Sequence, residues 1–155
     1  MYADGTWHQI SNIVHNFKIE TVYNFEVSNN HNYYVGQNRI LVHNKGGGRG
    51  GCFVAGTPVM MGGYYQNIEK VKPGDLVLSY DEYTKETTYS KVLQTMVHIV
   101  YDDIYTLYAS NDKLVVTGIH RFYILRNDRI EWIAASDLQI GDKVLFSNNT
   151  WHVIY

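Results

Sequence analysis

The sequence predicts an all-β fold, and three observations carry that prediction. Short runs alternate apolar or aromatic residues with polar ones, as in Thr21-Val22-Tyr23-Asn24-Phe25-Glu26-Val27, Ile104-Tyr105-Thr106-Leu107-Tyr108 and Leu114-Val115-Val116. Each run is bounded by Gly, Asn, Asp or Ser, so period-two patterning sits between turn signals. Fourteen tyrosines and many valines suit a pleated, half-buried surface, and no long stretch has helical spacing with start and stop signals.

Taken in order, the 21–27, 104–108 and 114–116 runs read as strands on their alternation. Ala134-Ala135-Ser136-Asp137-Leu138 has room for one helical turn at most. Val71-Lys72-Pro73-Gly74-Asp75-Leu76-Val77-Leu78 and Leu138-Gln139-Ile140-Gly141-Asp142-Lys143-Val144-Leu145 each read as a Gly-Asp turn feeding a strand. Both copies carry an apolar residue three positions before the Gly. This makes them candidates for an internal repeat.

A second similarity relates Gly5-Thr6-Trp7-His8-Gln9-Ile10 to Asn149-Thr150-Trp151-His152-Val153-Ile154, copies 144 positions apart. The chain then reads as one full period plus a short overlap, as a slice of a head-to-tail array or a permutation born of duplication would.

At 155 residues the chain is the size of one domain, large enough to bury a core without metals or disulfides. Thirteen basic and fifteen acidic side chains leave a net charge of -2, so no global field attracts nucleic acid or an anionic membrane. The single cysteine, Cys52, cannot form an internal disulfide and is a buried thiol, an intermolecular partner or a nucleophile. No charged-then-apolar leader and no bilayer-length apolar run stands out. A soluble, unprocessed and monomeric chain is expected, cytoplasmic if expressed as it stands.

The most distinctive segment is the glycine-rich strip Lys45-Gly46-Gly47-Gly48-Arg49-Gly50-Gly51, between His43-Asn44 and Cys52. One arginine is too little charge to hold a phosphate backbone, and the composition is that of a flexible linker. An Asn can break its own peptide bond through its side-chain amide, and a thiol can attack the carbonyl that precedes it. Both reactions point at the strip.

Three motifs carry a resemblance. Cys52-Phe53-Val54-Ala55-Gly56-Thr57-Pro58-Val59 resembles the amino-terminal block of inteins and bacterial intein-like domains. Val22-Tyr23-Asn24-Phe25-Glu26-Val27, then His31-Asn32-Tyr33-Tyr34 and the closing Ile40-Leu41-Val42-His43-Asn44, resembles their carboxy-terminal blocks. Thr117-Gly118-Ile119-His120 is similar to their internal Thr-x-x-His signature. In the family the Cys block opens the domain and His-Asn closes it; here the closing part comes first.

The resemblance therefore implies a circularly permuted Hint (hedgehog/intein) domain spanning 1–155, an all-β horseshoe with pseudo-twofold halves. Residues 1–44 would be the carboxy-terminal part, 45–51 the strip in place of flanking protein, and 52–155 the amino-terminal part. The implied activity is single-turnover, autocatalytic cleavage or splicing. Its substrate is the chain itself, with flanking protein segments as natural partners; no cofactor, metal, nucleic acid or membrane is expected.

The resemblance also implies roles. Cys52 attacks the carbonyl of Gly51 and leaves a thioester, and His120 protonates the departing nitrogen. Thr117 stabilises the oxyanion or holds the scissile bond distorted. Asn44 cyclises to a succinimide and releases Lys45, with His43 and His31 polarising the carbonyl and protonating the leaving nitrogen. His8, His15, His98 and His152 match no family position and lack metal-ligand spacing.

Two departures weaken transesterification: Lys45 stands where splicing needs Cys, Ser or Thr, and Asn24 where the family often has an acid. Cleavage at Gly51-Cys52 and at Asn44-Lys45 remains, and would excise or slowly cyclise residues 45–51. The competing readings are an inactive or precursor-trapped Hint scaffold and a cysteine hydrolase acting in trans through Cys52 and His120.

Overall fold

A computed structural model describes residues 2–43, 52–110 and 112–152, with the side chains of 2–5 and 147–152 outside the described set. The strands are β1 (Tyr2–Val27), β2 (Asn32–Val35), β3 (Ile40–His43), β4 (Phe53–Val54), β5 (Pro58–Met60) and β6 (Tyr65–Asn67). They continue with β7 (Leu76–Asp81), β8 (Glu86–Ala109), β9 (Asp112–Thr117), β10 (Arg121–Arg126), β11 (Arg129–Ala134) and β12 (Lys143–His152). The only helical elements among the described residues are two 3-10 turns, Ile68–Lys70 and Ala135–Asp137. The all-β expectation holds, and the single turn expected at 134–138 is the second of these.

Hydrogen bonding joins the strands in the order β6-β5-β2-β3-β10-β12-β1-β4-β9-β8-β7, with β11 on β10. β1 is the spine: its start pairs with β12, its long middle with β8 and its end with β4. The sequence reading saw only parts of β1 and β8, as the short runs 21–27 and 104–108 bounded by turn-forming residues. In the fold Asn16 pairs with Ile104, Phe17 with Asp103 and Lys18 with Asp102, and the ladder runs through them. Neither strand holds a Pro or an interior Gly between residues 6–27 and 86–109, so nothing removes a ladder donor or loosens the backbone there.

The main core gathers inward-facing residues of both halves, among them Phe25, Tyr33, Phe53, Val116 and Phe122, all fully buried. A smaller cluster on the other face joins Tyr34, Leu41, Leu78, Tyr123 and Leu145, with Trp7 and Trp132 against it. Strict alternation explains the division: Phe122 faces one cluster and Tyr123 the other.

The two Gly-Asp segments are structurally equivalent. Val71 N–H donates to the Ile68 carbonyl and Leu138 N–H to that of Ala135. Asp75 accepts from the Lys72 N–H at 2.9 Å, and Asp142 from the Gln139 N–H at 2.8 Å. Gly74 and Gly141 take φ values of +92° and +99°, a region that suits glycine because a Cβ is strained there. Each turn is then tied to a strand: Val92 exchanges both main-chain bonds with Gly74 and Asp75 at 2.8 Å, and Ile10 does so with Gly141 and Asp142 at 3.0 and 2.7 Å.

Asp142 is also held by Arg126, through Nε at 2.7 Å and the terminal nitrogen at 2.6 Å. Burial raises its carboxyl, but the Arg126 bonds and the Gln139 N–H outweigh that and leave it below the ordinary carboxylate range. A lowered folded value means that this contribution is present above the unfolded carboxylate value and is lost as pH falls through the folded one. Arg126→Ala is expected to lower the melting temperature at pH 7, by roughly 3 to 8 °C if the bidentate pair is worth about 1.5 to 2 kcal/mol. The difference from the parent should shrink as pH falls below 4, and thermal melts across that range read it.

Candidate functional site

Cys52 begins the strand segment that crosses between β1 and β9. Its main-chain N–H donates to the Thr117 hydroxyl at 2.9 Å, and its carbonyl accepts from the Thr117 N–H at 3.0 Å. The hydroxyl thus sits on the nitrogen of the Gly51-Cys52 peptide bond. The Thr117 main-chain N–H, which the sequence reading kept as an oxyanion donor, is instead taken by the carbonyl of Cys52.

The turn 117–120 is closed by the His120 N–H to the Thr117 carbonyl at 3.3 Å, and Ala135 N–H donates to the His120 carbonyl at 2.7 Å. This fixes the backbone that carries His120. Its ring is 1% exposed and lies edge-on to Phe53, the neighbour of Cys52, with centroids 4.3 Å apart, and to Phe122 at 5.8 Å. The His120 ring is therefore packed on the residue that follows Cys52 in the chain.

Asn24 reaches the same region on β1. Val22 pairs with Val54 and Tyr23 with Phe53, so Asn24 is the next residue of β1 toward the Cys52 end of that ladder. The Asn24 Oδ1 accepts the Tyr33 hydroxyl at 2.9 Å and the Phe25 N–H at 2.8 Å. Its oxygen is thus occupied twice, at a place where an acid could have taken up a proton. Burial and the neighbouring Cys52 push the Tyr33 phenol well above its ordinary value, so Tyr33 stays a donor to Asn24.

His43 ends β3. It pairs with Arg121, the residue after His120, and with Asn32, so the two histidine-bearing segments meet at one end of the sheet. Residues directly opposite share a face, so the His43 ring lies with Arg121, against Trp132 at 4.9 Å. The His120 ring faces the other way, into the main core. His31, exposed at φ +54°, precedes Asn32 in the β1–β2 connection. Asn44, Lys45 and Gly51 lie outside the described residues.

The sequence reading gave Tyr33 and Trp132 no role, although Tyr33 lay inside the quoted His31-Asn32-Tyr33-Tyr34 motif. Nothing in the spacing of Trp132 marked it, because its contact with His43 needs β11 folded onto β10. Among the described residues no group of three His, Cys, Asp or Glu side chains could hold a metal ion, and no helix is long and apolar enough to cross a membrane.

Burial pushes the Cys52 thiol up to about 11, so at neutral pH it is a thiol and the thiolate nucleophile is scarce. The rate of alkylation by iodoacetamide should therefore climb through pH 8 to 10 without levelling and reach half of its limiting value only near 11. Levelling by pH 10 would show an unshifted cysteine.

A pretoxin HINT domain family model matches residues 59–154. No curated protein shows a significant match. The matched stretch is more than half of the chain and includes Thr117, His120 and both Gly-Asp turns. It describes a domain of the self-processing kind with the all-β fold observed. The chain belongs to the pretoxin HINT domain family.

Proposed function

We propose that the chain cuts itself at both ends of its glycine-rich strip, as a circularly permuted Hint domain. The observation that carries this reading is the 2.9 Å bond from the Cys52 N–H to the Thr117 hydroxyl. It holds the nitrogen that must leave when the Gly51-Cys52 bond breaks.

In the first step the Cys52 sulfur bonds to the Gly51 carbonyl carbon and the carbon–nitrogen bond breaks. The thiol proton leaves the sulfur and the freed nitrogen gains one, so a thioester and the amine of Cys52 result. An amide nitrogen does not depart as an anion near neutral pH, and His120, packed on Phe53, the residue after Cys52, is assigned as its acid. Thr117 holds the N–H and so orients the scissile bond for attack.

In the second step the Asn44 side-chain nitrogen bonds to the Asn44 main-chain carbon, and the amine of Lys45 leaves with a proton. His43 supplies or relays that proton, steadied by its edge contact with Trp132; His31, next to the Asn32 that pairs with His43, is its second candidate. The Lys45 amine is then tethered to the Gly51 thioester, so its effective concentration is high. Attack there releases a cyclic peptide of residues 45–51 and returns the Cys52 thiol; attack by water releases the linear one.

The permuted reading is supported by one fact: strands of residues 1–44 lie between strands of 52–155 in one hydrogen-bonded sheet. With Lys45 in place of a nucleophilic acceptor, cleavage rather than splicing is the expected outcome.

Intact mass followed over time for the parent, Cys52→Ala and Asn44→Ala tests this. The parent should lose residues 45–51 in the presence of thiol, Cys52→Ala should break only after Asn44, and Asn44→Ala only before Cys52. Thr117→Val should slow the break before Cys52 by roughly ten- to a hundredfold. An unchanged parent mass after long incubation with thiol would sink the reading.

A further inference from the structure

We infer that the edge of β12 at residues 143–146 is a strand-acceptor site for the sequence Thr-Trp-His-x-Ile, and that two segments of this chain, 6–10 and 150–154, compete for it. The domain then closes in two interchangeable ways. This inference stands apart from the proposed self-cleavage.

The first support is the register. Thr6 pairs with Phe146, Trp7 with Leu145, His8 with Val144 and Gln9 with Lys143. In this structure Ser147, Trp151 and His152 continue β12 and pair with Gly5, Ala3 and Tyr2. In the alternative closure those pairs are given up, and a hairpin at 147–149 would place Thr150, Trp151, His152 and Val153 opposite the same four residues in the same order. Ser147-Asn148-Asn149 suits that loop, since three-residue hairpin loops need one left-handed residue and Asn tolerates it.

The second support is the other half of the fold. There the strand after the Gly-Asp turn, β7, returns by a hairpin into β8, with Leu76 opposite Lys91 and Val77 opposite Ser90. That hairpin delivers Val92 to Gly74 and Asp75. In the second half the equivalent place beside Gly141 and Asp142 is taken by Ile10, from the opposite end of the chain. The residue that a hairpin out of β12 would deliver there is Ile154.

The third support is the chemistry of the contacts. Trp7 stacks on Tyr123 at 5.9 Å, His8 on Phe146 at 4.0 Å, and Ile10 is 1% exposed in the core. Trp151, His152 and Ile154 carry the same side chains at the same spacing, and only the Gln9 position differs, as Val153. Either segment can therefore fill the site.

The test uses the full chain with Cys52→Ala and Asn44→Ala, so that self-cleavage has no part in it. Ile10→Asp puts a charge into the core, which ordinarily lowers the melting temperature by roughly 10 °C or more. Here Ile10→Asp alone and Ile154→Asp alone should each cost no more than about 4 °C, and the double variant should show the full loss. Ile10→Asp falling as far as the double variant would overturn the inference. Disulfide trapping is the second measurement, in the same background: Lys143→Cys paired with Gln9→Cys, and separately with Val153→Cys. Both pairs should oxidise; a Lys143/Gln9 pair that closes beside a Lys143/Val153 pair that does not would also overturn it.

Discussion

The fold depends on β1 serving as a shared strand. Its first part hydrogen-bonds to β12, its middle to β8 and its end to β4, so both halves of the domain are closed by the same piece of chain. An antiparallel sheet needs every interior N–H and C=O paired. The two Gly-Asp turns each present a main-chain donor and acceptor that a strand from elsewhere must satisfy. Val92 does this for one and Ile10 for the other, and Val92 itself pairs with Val27 at the far end of β1.

That arrangement also builds the site. The end of β1 pairs with Phe53 and Val54, next to Cys52, while β9 brings Thr117 to the other side. Cys52 is thus bracketed between two strands, with its nitrogen and carbonyl both engaged by Thr117. The aromatic core completes the enclosure: Tyr33 packs on Phe25 at 4.2 Å, and Phe53 lies edge-on to His120 at 4.3 Å. Burial keeps the Cys52 thiol protonated, so the packing that positions the sulfur also makes its thiolate scarce at neutral pH.

Much of this was legible in the sequence. The period-two runs named the strand regions, the Gly-Asp pair named the internal repeat, and the Cys and Thr-x-x-His motifs named Cys52 and Thr117, which are hydrogen-bonded to each other. The length of β1 and β8 was not legible, because Asn16 and Asp102-Asp103 have turn chemistry and only cross-strand pairing keeps them extended. The division of the histidines was not legible either. His43 and His120 belong to neighbouring strand ends, yet pairing with Arg121 turns the His43 ring to the face opposite His120.

By itself the sequence determined the fold class, the family and the chemistry that Cys52, Thr117, His120 and the His43-Asn44 pair could offer, since alternation and short motifs are local properties of the chain. Only the tertiary structure decided which atom of Thr117 meets which atom of Cys52, that Tyr33 occupies the side-chain oxygen of Asn24, and which Thr-Trp-His copy lies beside Lys143 and Val144. These depend on register between strands far apart in the chain. Register is set by which pairing buries the most apolar surface while satisfying the backbone, a choice that no local run of residues makes alone.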